Sequence, residues 1–224
     1  MIDITEHLEE IRERVSRAAA RHGREVMIVA VSKARDEHTI RAAAAAGLRH
    51  FGENYLQEAL PKIEALADLD LEWHFIGAVQ SNKTRPIAER FRWVHTLDRE
   101  KIAVRLNAAR PHYAPPLNVL IQVNLAREPQ KAGVAEEEAE PLAEVVRGLP
   151  RLALRGLMCM PPAAAPDAER RELYLRTAAI AARLRAAGHR ADVLSMGMSD
   201  DFELAIDCGS NCVRIGTALF GPRD

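Results

Sequence analysis

The feature that most constrains the fold of this chain is an alternation of eight short apolar runs with helical patterns. Regular alternation of strands and helices predicts parallel strands joined by right-handed crossovers. Eight such units favour a closed (β/α)8 TIM barrel, in which the carboxyl ends of all strands converge on one mouth. A doubly wound open sheet is the alternative fold. The predicted strands span residues 26–31, 50–54, 71–77, 93–97, 117–124, 152–158, 192–196 and 212–216.

The chain is short for this fold, and its first segment is predicted to complete the barrel. A barrel of this type usually has about 250 residues, whereas this chain has 224. Too few residues follow Gly216 for a full eighth outer helix. Residues 3–21 form an amphipathic pattern, with apolar side chains such as Leu8 and Ile11 at helical spacing. We therefore expect this extra N-terminal helix to cover the gap, and residues 1–224 to form a single domain.

Charge and cysteine content argue against several classes of protein. Lysine and arginine number 31 against 32 aspartates and glutamates, so no basic surface for nucleic acid or for an anionic membrane is expected. The three cysteines indicate a reducing compartment rather than a disulfide framework. The acidic N-terminus is unlike a signal peptide, and no apolar run reaches the roughly 20 residues of a membrane span. We expect a cytoplasmic protein.

The first predicted strand ends next to a lysine that is a candidate for chemistry. Lys33 follows the apolar residues 26–31, and Asp36 is a candidate N-cap for the helix that comes next. Lys33 is therefore predicted at the carboxyl end of a parallel strand, where α/β folds place their binding sites. On this stretch alone, a solvated loop lysine explains the residue equally well.

Two further strand ends have the residues expected of an anion site. Ser195 to Ser199 contains two serines and a glycine before a helix, where backbone N–H groups bind anions. Arg214, Gly216 and Thr217 end the last strand. The loops after strands seven and eight commonly bind phosphate in this barrel fold. The alternative is that these glycines only make tight turns.

A lysine beside a phosphate site predicts a particular type of cofactor. Strands eight and one are neighbours in a closed barrel, so Lys33 is expected close to the turns that follow Ser195 and Arg214. A lysine amine can hold an aldehyde cofactor as a Schiff base. Pyridoxal 5′-phosphate (PLP) has both an aldehyde and a phosphate, and it is the predicted cofactor.

Six motifs in this chain occur together, in this order, in one protein family. They are Ala30-Val31-Ser32-Lys33, Phe51-Gly52-Glu53-Asn54-Tyr55, His74-Phe75-Ile76-Gly77 with Gln80-Ser81-Asn82-Lys83, Gly156-Leu157-Met158 with Pro161-Pro162, Leu194 to Asp201, and Val213-Arg214-Ile215-Gly216. In these motifs the chain resembles the pyridoxal-phosphate homeostasis proteins, also called the YggS/PROSC family. It departs from the family pattern at Ala78, where histidine is common, and at Asn211, where threonine is common.

The resemblance implies a fold, a cofactor and a binding site. The fold is a barrel like the N-terminal domain of bacterial alanine racemases, and the cofactor is PLP. The implied binding residues are Lys33 for the aldehyde, Ser195, Gly216 and Thr217 for the phosphate, Arg214 for the pyridine nitrogen, and Asn54 beside the ring.

The expected function is that of a carrier with little or no catalysis. A guanidinium only donates hydrogen bonds, so Arg214 would keep the pyridine nitrogen unprotonated and the ring a poor electron sink. Racemases of this barrel type add a tyrosine base from a second domain, which this chain is expected to lack. Among its tyrosines only Tyr55 follows a predicted strand end, and packing at the helix start is the simpler interpretation.

We therefore expect a monomer that keeps PLP masked on Lys33, passes it to apo-enzymes and serves intracellular PLP homeostasis. The alternative is a PLP-dependent amino-acid racemase or lyase that uses Lys33 as its base. Metal-dependent catalysis is a third and disfavoured class, although His74 and His95 fall near predicted strand ends. Cys208 and Cys212 flank a turn, and no second ligand pair has zinc spacing. No metal site is predicted.

Overall fold

A computed structural model describes residues 4–128 and 130–222, and this part of the chain forms a closed barrel of parallel strands. The strands are β1 (Met27–Val31), β2 (His50–Glu53), β3 (Glu72–Phe75), β4 (Trp93–Leu97), β5 (Leu117–Val123), β6 (Leu152–Cys159), β7 (Val193–Ser195) and β8 (Cys212–Ile215). Each strand pairs with the next along the chain, and β1 also pairs with β8. The predicted (β/α)8 barrel is confirmed, and the open-sheet alternative is wrong.

Helices surround the barrel. They are α1 (Ile4–Ala20), α2 (Glu37–Ala45), α3 (Leu56–Ala65), α4 (Thr84–Arg90), α5 (Glu100–Ala109), α6 (Ala139–Arg147), α7 (Asp167–Ala186), α8 (Phe202–Asp207) and α9 (Thr217–Phe220), with 3-10 turns at Ser81–Lys83 and Glu136–Glu138. Their apolar faces pack on outward-facing strand residues such as Phe51, which is fully buried. None of the described helices is long and apolar enough to cross a membrane.

The helix α1 occupies the place where an outer helix after β8 would lie. Among the residues that the structure describes, the four-residue helix α9 is the only helix after β8, and α1 packs along both α8 and α9. Arg14 of α1 pairs with Glu203 of α8 at 2.9 Å. Nδ1 of His7 lies 3.1 Å from the carbonyl oxygen of Leu219. The N-terminal helix therefore covers the gap in the outer layer, as the sequence predicts.

The inside of the barrel is a second, smaller core. Successive residues of a strand face opposite sides of the sheet, so alternate residues point inward. The inward apolar cluster consists of Val29, Trp93, Leu120, Met158, Val193 and Cys212, with Met27 packed against it. Because side chains fill the interior, the ends of the strands are left for binding, and in this fold the carboxyl ends hold the functional site.

Two local predictions from the sequence are wrong. The sequence predicts Asp98 as the N-cap of α5, but the N-cap is Arg99. The Asp98 carboxylate instead accepts a hydrogen bond from Nη1 of Arg99 at 2.6 Å. Pro61 is expected to mark a kink or a break in α3, but the helix does not break there and continues to Ala65. A proline removes a single backbone donor, and burial of the helix face around it holds the remaining turns in place.

Candidate functional site

The carboxyl ends of the strands form the mouth of the barrel, and Lys33 lies there. β1 ends at Val31, Ser32 is buried, and Lys33 is half-buried in the turn that follows. The Asp36 carboxylate accepts a hydrogen bond from the backbone N–H of Thr39 at 2.8 Å, so Asp36 caps α2 as predicted. The strand end and the helix cap together fix both sides of the turn that contains Lys33.

Asn54 lies at the neighbouring strand end. Val31 pairs with Gly52, and Lys33 and Asn54 each come two residues later. Asn54 is half-buried, and its Oδ1 is a buried atom with no hydrogen-bond partner among the described residues. A buried acceptor without a donor is uncommon and costs about 1–3 kcal/mol. A bound molecule at the mouth that donates a hydrogen bond would satisfy this atom.

A buried network of charged groups supports the turn of Lys33. Lys62 of α3 is only 7% exposed. Its Nζ donates to Oε1 of Glu53 at 2.8 Å, to Oε1 of Glu58 at 2.6 Å and to the carbonyl oxygen of Ser32 at 2.9 Å. The Ser32 hydroxyl also donates to Oε1 of Glu53 at 2.7 Å. The network ties β1, β2 and α3 together one residue before Lys33.

Glu53 is the member of this network whose buried charge is least fully compensated. Burial raises the pKa of Glu53, and hydrogen bonds from Lys62 and Ser32 oppose the rise. Both of these donors reach Oε1, whereas Oε2 is buried and has no partner among the residues described. The buried carboxylate therefore depends on Lys62 for most of its compensation.

Sequence reasoning missed Lys62. The sequence predicts an apolar face of Leu56, Leu60, Ile63 and Leu66 for α3. Leu56 and Leu66 are buried as predicted, but Leu60 and Ile63 are only partly buried, and the helix buries Ala59 and Lys62 as well. The signal was present, because Lys62 is three residues after Ala59 and four after Glu58, on the face that packs inward. A lysine on such a face needs a buried anion, and the anion on the neighbouring strand cannot be identified from spacing within one helix.

Arg214 and Ser195 join the ends of β8 and β7. Nη1 of Arg214 donates to the carbonyl oxygen of Ser195 at 2.8 Å and to its hydroxyl at 2.6 Å. Nη2 donates to the carbonyl oxygen of Cys159 at 3.2 Å. Within the described ranges Nε of Arg214 makes no hydrogen bond. Three of the five N–H groups of the buried guanidinium therefore hold it in one orientation, and the N–H on Nε and one N–H on Nη2 remain for a ligand.

The two turns predicted to bind an anion are connected to each other. The hydroxyl of Ser199 accepts hydrogen bonds from the backbone N–H groups of Gly216 at 3.3 Å and Ala218 at 3.1 Å. Gly197 has a φ of 91°, and a Cβ there would approach the α8 side chain beneath it to 2.6 Å, so the turn needs glycine. A Cβ at Gly216 would lie 3.4 Å from Cβ of Val31, which places this turn against the end of β1.

The structure thus brings the six predicted binding residues to one end of the barrel. Ser195 and Arg214 are in direct contact and buried. Gly216 is half-buried at the start of α9, and Thr217 is the exposed first residue of that helix. Lys33 and Asn54 lie on the adjoining strands β1 and β2.

Three histidines form a row through the barrel interior, starting at Ser195. The Ser195 hydroxyl lies 2.9 Å from Nδ1 of His95, and Nε2 of His95 lies 2.9 Å from Nδ1 of His74. Nε2 of His74 in turn lies 3.1 Å from Nδ1 of His50 at the start of β2. The sequence places His74 and His95 near strand ends at the mouth; both side chains are instead fully buried inside the barrel, where His95 contacts Ser195 of the predicted site.

The buried histidines are neutral at pH 7. Burial lowers the pKa of His74 and of His95 well below the usual value, because an imidazolium would lose its hydration. The nearby Arg214 guanidinium lowers the pKa of His95 further. A neutral imidazole has one N–H donor and one acceptor nitrogen. His74 and His95 therefore each donate toward one neighbour in the row and accept from the other.

Tyr55 is close to the mouth, but it does not pack as the sequence suggests. It is the N-cap of α3, and 62% of its surface is exposed. The predicted packing at the helix start is therefore wrong. Tyr174, by contrast, is buried and donates to Oδ2 of Asp201 at 2.7 Å. Burial and the Asp201 carboxylate raise the pKa of Tyr174, so its hydroxyl remains protonated.

The fold and the site define a class of protein: a (β/α)8 barrel with a lysine, a buried arginine and two connected glycine turns around one mouth. The family profile described as "Alanine racemase, N-terminal domain" matches residues 7–224. The chain belongs to this family.

Close relatives share nearly the whole length of the chain. The "Pyridoxal phosphate homeostasis protein" of Pseudomonas aeruginosa PAO1 is 53% identical over 227 residues, covering 100% of this chain and 97% of the relative. The protein of the same name from Escherichia coli K12 is 48% identical over 230 residues, covering 100% and 98%. The structure of PipY from Synechococcus elongatus PCC7942 with PLP bound has a TM-score of 0.88 and 36% identity, covering 98% of this chain and 100% of PipY.

Proposed function

We propose that this chain binds PLP at the barrel mouth, holds it covalently on Lys33, and serves intracellular PLP homeostasis. The observation that carries the proposal is the position of Lys33 at the end of β1, next to the connected turns of β7 and β8. The relatives named for PLP homeostasis and the PipY structure with PLP bound support it.

The residues at the mouth fit the parts of this cofactor. The Lys33 amine suits the aldehyde, and the hydroxyls of Ser195 and Thr217 suit the phosphate together with the backbone of Gly216. The N–H on Nε of Arg214 suits the pyridine nitrogen, which accepts a hydrogen bond when it is unprotonated. The buried Oδ1 of Asn54 has no donor within the described part of the chain and suits a group beside the ring.

We propose a carrier with little or no catalysis of its own. PLP supplies an aldehyde and, when its ring nitrogen is protonated, a sink for electrons. A guanidinium only donates hydrogen bonds, so Arg214 at this position donates to the ring nitrogen without transferring a proton. The ring nitrogen therefore stays unprotonated, and the residues at the mouth favour retention of the aldehyde over reaction of a bound amino acid.

We also propose the oligomeric state of the protein, its cellular compartment and the proteins that receive PLP from it. Residues 1–224 would act as one PLP-binding domain and as a monomer, which size-exclusion chromatography with light scattering would test. The three cysteines form no disulfide, which suits the reducing cytoplasm. Apo-forms of PLP-dependent enzymes are the proposed recipients.

A titration with PLP, followed by absorbance, tests the binding proposal. The wild-type protein should take up about one equivalent and develop the visible band of a covalently bound aldehyde. The Lys33→Ala variant should lose this band. Lys83→Ala is the matched control, because Lys83 is also half-buried but lies in the turn Ser81–Lys83 rather than directly after a strand. Unchanged absorbance in Lys33→Ala would contradict the proposal.

The alternative is a PLP-dependent racemase or lyase that uses Lys33 as its base, and membership of a family described by a racemase domain favours it. Exchange of the α-proton of amino acids with deuterated water separates the two functions. A carrier gives exchange close to the rate of PLP alone. Rapid exchange that disappears in Lys33→Ala would establish the enzyme and overturn the carrier.

A further inference from the structure

A second cluster of functional side chains lies at the opposite end of the barrel from the mouth. Among the described residues, His50, Glu72 and His74 are the one group of three potential metal ligands whose donor atoms lie within 4.8 Å of one another. His50 begins β2, and Glu72 begins β3. We infer that these three side chains form a binding site for a divalent transition metal, with Zn²⁺ as the best match.

The spacing of the donor atoms matches tetrahedral coordination. Nδ1 of His50 lies 3.1 Å from Nε2 of His74 and 3.7 Å from Oε2 of Glu72. Bonds of about 2.0–2.1 Å at tetrahedral angles separate two ligand atoms by about 3.3 Å. These two separations lie on either side of this value, and the third, between His74 and Glu72, is within 4.8 Å, so side-chain rotations can bring the three atoms onto one ion. Two imidazoles, one carboxylate and a water molecule complete a tetrahedral set.

The chemistry of the ligands selects among metals. Two imidazole nitrogens favour Zn²⁺ and its neighbours in the transition series over Mg²⁺ and Ca²⁺, which prefer oxygen ligands. The cluster contains no thiolate, which distinguishes it from sites built on cysteine. Since a metal needs neutral imidazoles, burial of His74 inside the barrel favours the required form.

Neighbouring residues hold the proposed ligands in orientation, as the outer shells of metal sites do. The Trp93 indole donates to Oε2 of Glu72 at 3.0 Å. Its ring also stacks on His74, with centroids 5.4 Å apart and planes inclined by 8°. Nδ1 of His74 lies 2.9 Å from Nε2 of His95. These contacts leave Nε2 of His74 facing His50 and Glu72.

A metal at this site would set the direction of the histidine row. Coordination through Nε2 of His74 requires the proton to be on Nδ1, which then donates to Nε2 of His95. His95 must consequently donate from Nδ1 to the hydroxyl of Ser195. The Ser195 hydroxyl then accepts from both His95 and Arg214 and has its own proton available for a group at the mouth.

The site has a path to solvent. The side chains of His50 and Glu72 are 29% and 40% exposed, and His50 lines a cavity of about 540 Å³ at this end of the barrel. Three arginines line the same cavity, and each already donates to oxygen atoms. Nη1 of Arg49 donates to the carbonyl oxygen of Ala44 at 2.8 Å. Arg155 pairs with Asp192 at 2.8 Å, and Arg12 donates to the carbonyl oxygen of Gly47 at 3.1 Å.

Competition with a chromogenic zinc indicator tests the inference on the full chain without PLP. The wild-type protein should withdraw about one equivalent of Zn²⁺. His50→Gln and Glu72→Gln should each weaken binding by more than about tenfold, since each removes a ligand. His38→Gln, an exposed histidine of α2 outside the cluster, should bind as the wild type does. The inference would be overturned if the wild type took up no zinc, or if His50→Gln and Glu72→Gln bound zinc as tightly as the wild type does.

Substitution with Co²⁺ gives a second measurement that does not depend on the variants. A tetrahedral site of two imidazoles, a carboxylate and water should give visible d–d bands of high intensity and no thiolate charge-transfer band. A thiolate band would assign the metal to a cysteine and overturn the inference. Far-UV circular dichroism of His50→Gln and Glu72→Gln establishes that both are folded, which we expect because both side chains are partly exposed at the barrel rim.

Discussion

Replacement of Lys62 by methionine tests the buried network next to Lys33. Methionine keeps much of the length and apolar volume of the lysine stem but removes the charge. In the variant, Glu53 loses its hydrogen bond of 2.8 Å from Nζ, and the Ser32 carbonyl loses its bond of 2.9 Å. Glu53 is 0% exposed, so water cannot replace the lost donor without opening the packing between β2 and α3.

The loss of stability should be large. Removing one partner of a buried ion pair costs about 3–5 kcal/mol, because the remaining charge stays buried without compensation. The side chains of Lys62 and Glu53 are 8% and 0% exposed, so solvent screening reduces this figure little. For a chain of this length the change corresponds to a fall in Tm of about 6–20 °C.

The loss of stability in Lys62→Met should also depend on pH. Burial raises the pKa of Glu53 above its ordinary value of 4.5 in the wild type, and without Lys62 the pKa rises further. A raised carboxyl pKa gives stability that is fully present below the unfolded pKa and is lost as the pH rises through the folded pKa. The variant should therefore lose less stability near pH 5, where Glu53 takes up a proton, than near pH 8.

Urea unfolding followed by circular dichroism at pH 5 and pH 8 measures both effects. Lys101→Met is the matched control, because Lys101 is an exposed lysine of α5, and its stability should change by less than about 0.5 kcal/mol. Adding Glu53→Gln to Lys62→Met should restore part of the stability at pH 8. A loss below about 1 kcal/mol for Lys62→Met, or an equal loss at both pH values, would refute the role of this network.

Three further changes test other parts of the structure. Ser195→Ala removes the hydroxyl between Arg214 and His95 and should destabilise the protein by about 1–3 kcal/mol in urea unfolding. The same change should weaken PLP binding in the absorbance titration. Unchanged affinity for PLP would exclude the hydroxyl from the site. Gly77→Ala places a Cβ 2.0 Å from the carbonyl oxygen of Asn54. The thermal melt should therefore show a severe loss of stability, and any folded variant should bind PLP poorly. Stability equal to that of the wild type would contradict the close approach. Burial raises the pKa of Cys212 to about 11, so mass spectrometry after iodoacetamide at pH 8 should find this thiol unmodified in the native protein and modified only after unfolding.

The sequence predicts the barrel and its mouth because both depend on local patterns. Eight apolar runs with intervening helical patterns suffice to predict parallel strands in a closed order. Asp36 is recognisable as a helix cap because its partner, Thr39, is three residues away. Ser195 and Gly216 are recognisable because they end strands that a barrel must bring together.

Other features depend on contacts between residues that are distant in the chain, and local sequence patterns do not predict them. Lys62 pairs with Glu53 across the gap between a helix and a strand, and only the packed structure shows which anion it meets. His74 and His95 fall near strand ends in the sequence, but the register of β3 and β4 turns them into the barrel interior. The proposed metal ligands could not be predicted from the sequence for the same reason, because His50 comes close to Glu72 and His74 only through the pairing of β2 with β3.

The central claim is that Lys33 carries PLP. Borohydride reduction of the protein after incubation with PLP, followed by digestion and peptide mass spectrometry, tests it most directly. We predict that the reduced pyridoxyl phosphate group is found on the peptide that contains Lys33, at about one group per chain. A label found mainly on Lys62, Lys83 or another lysine, with Lys33 unmodified, would contradict the claim.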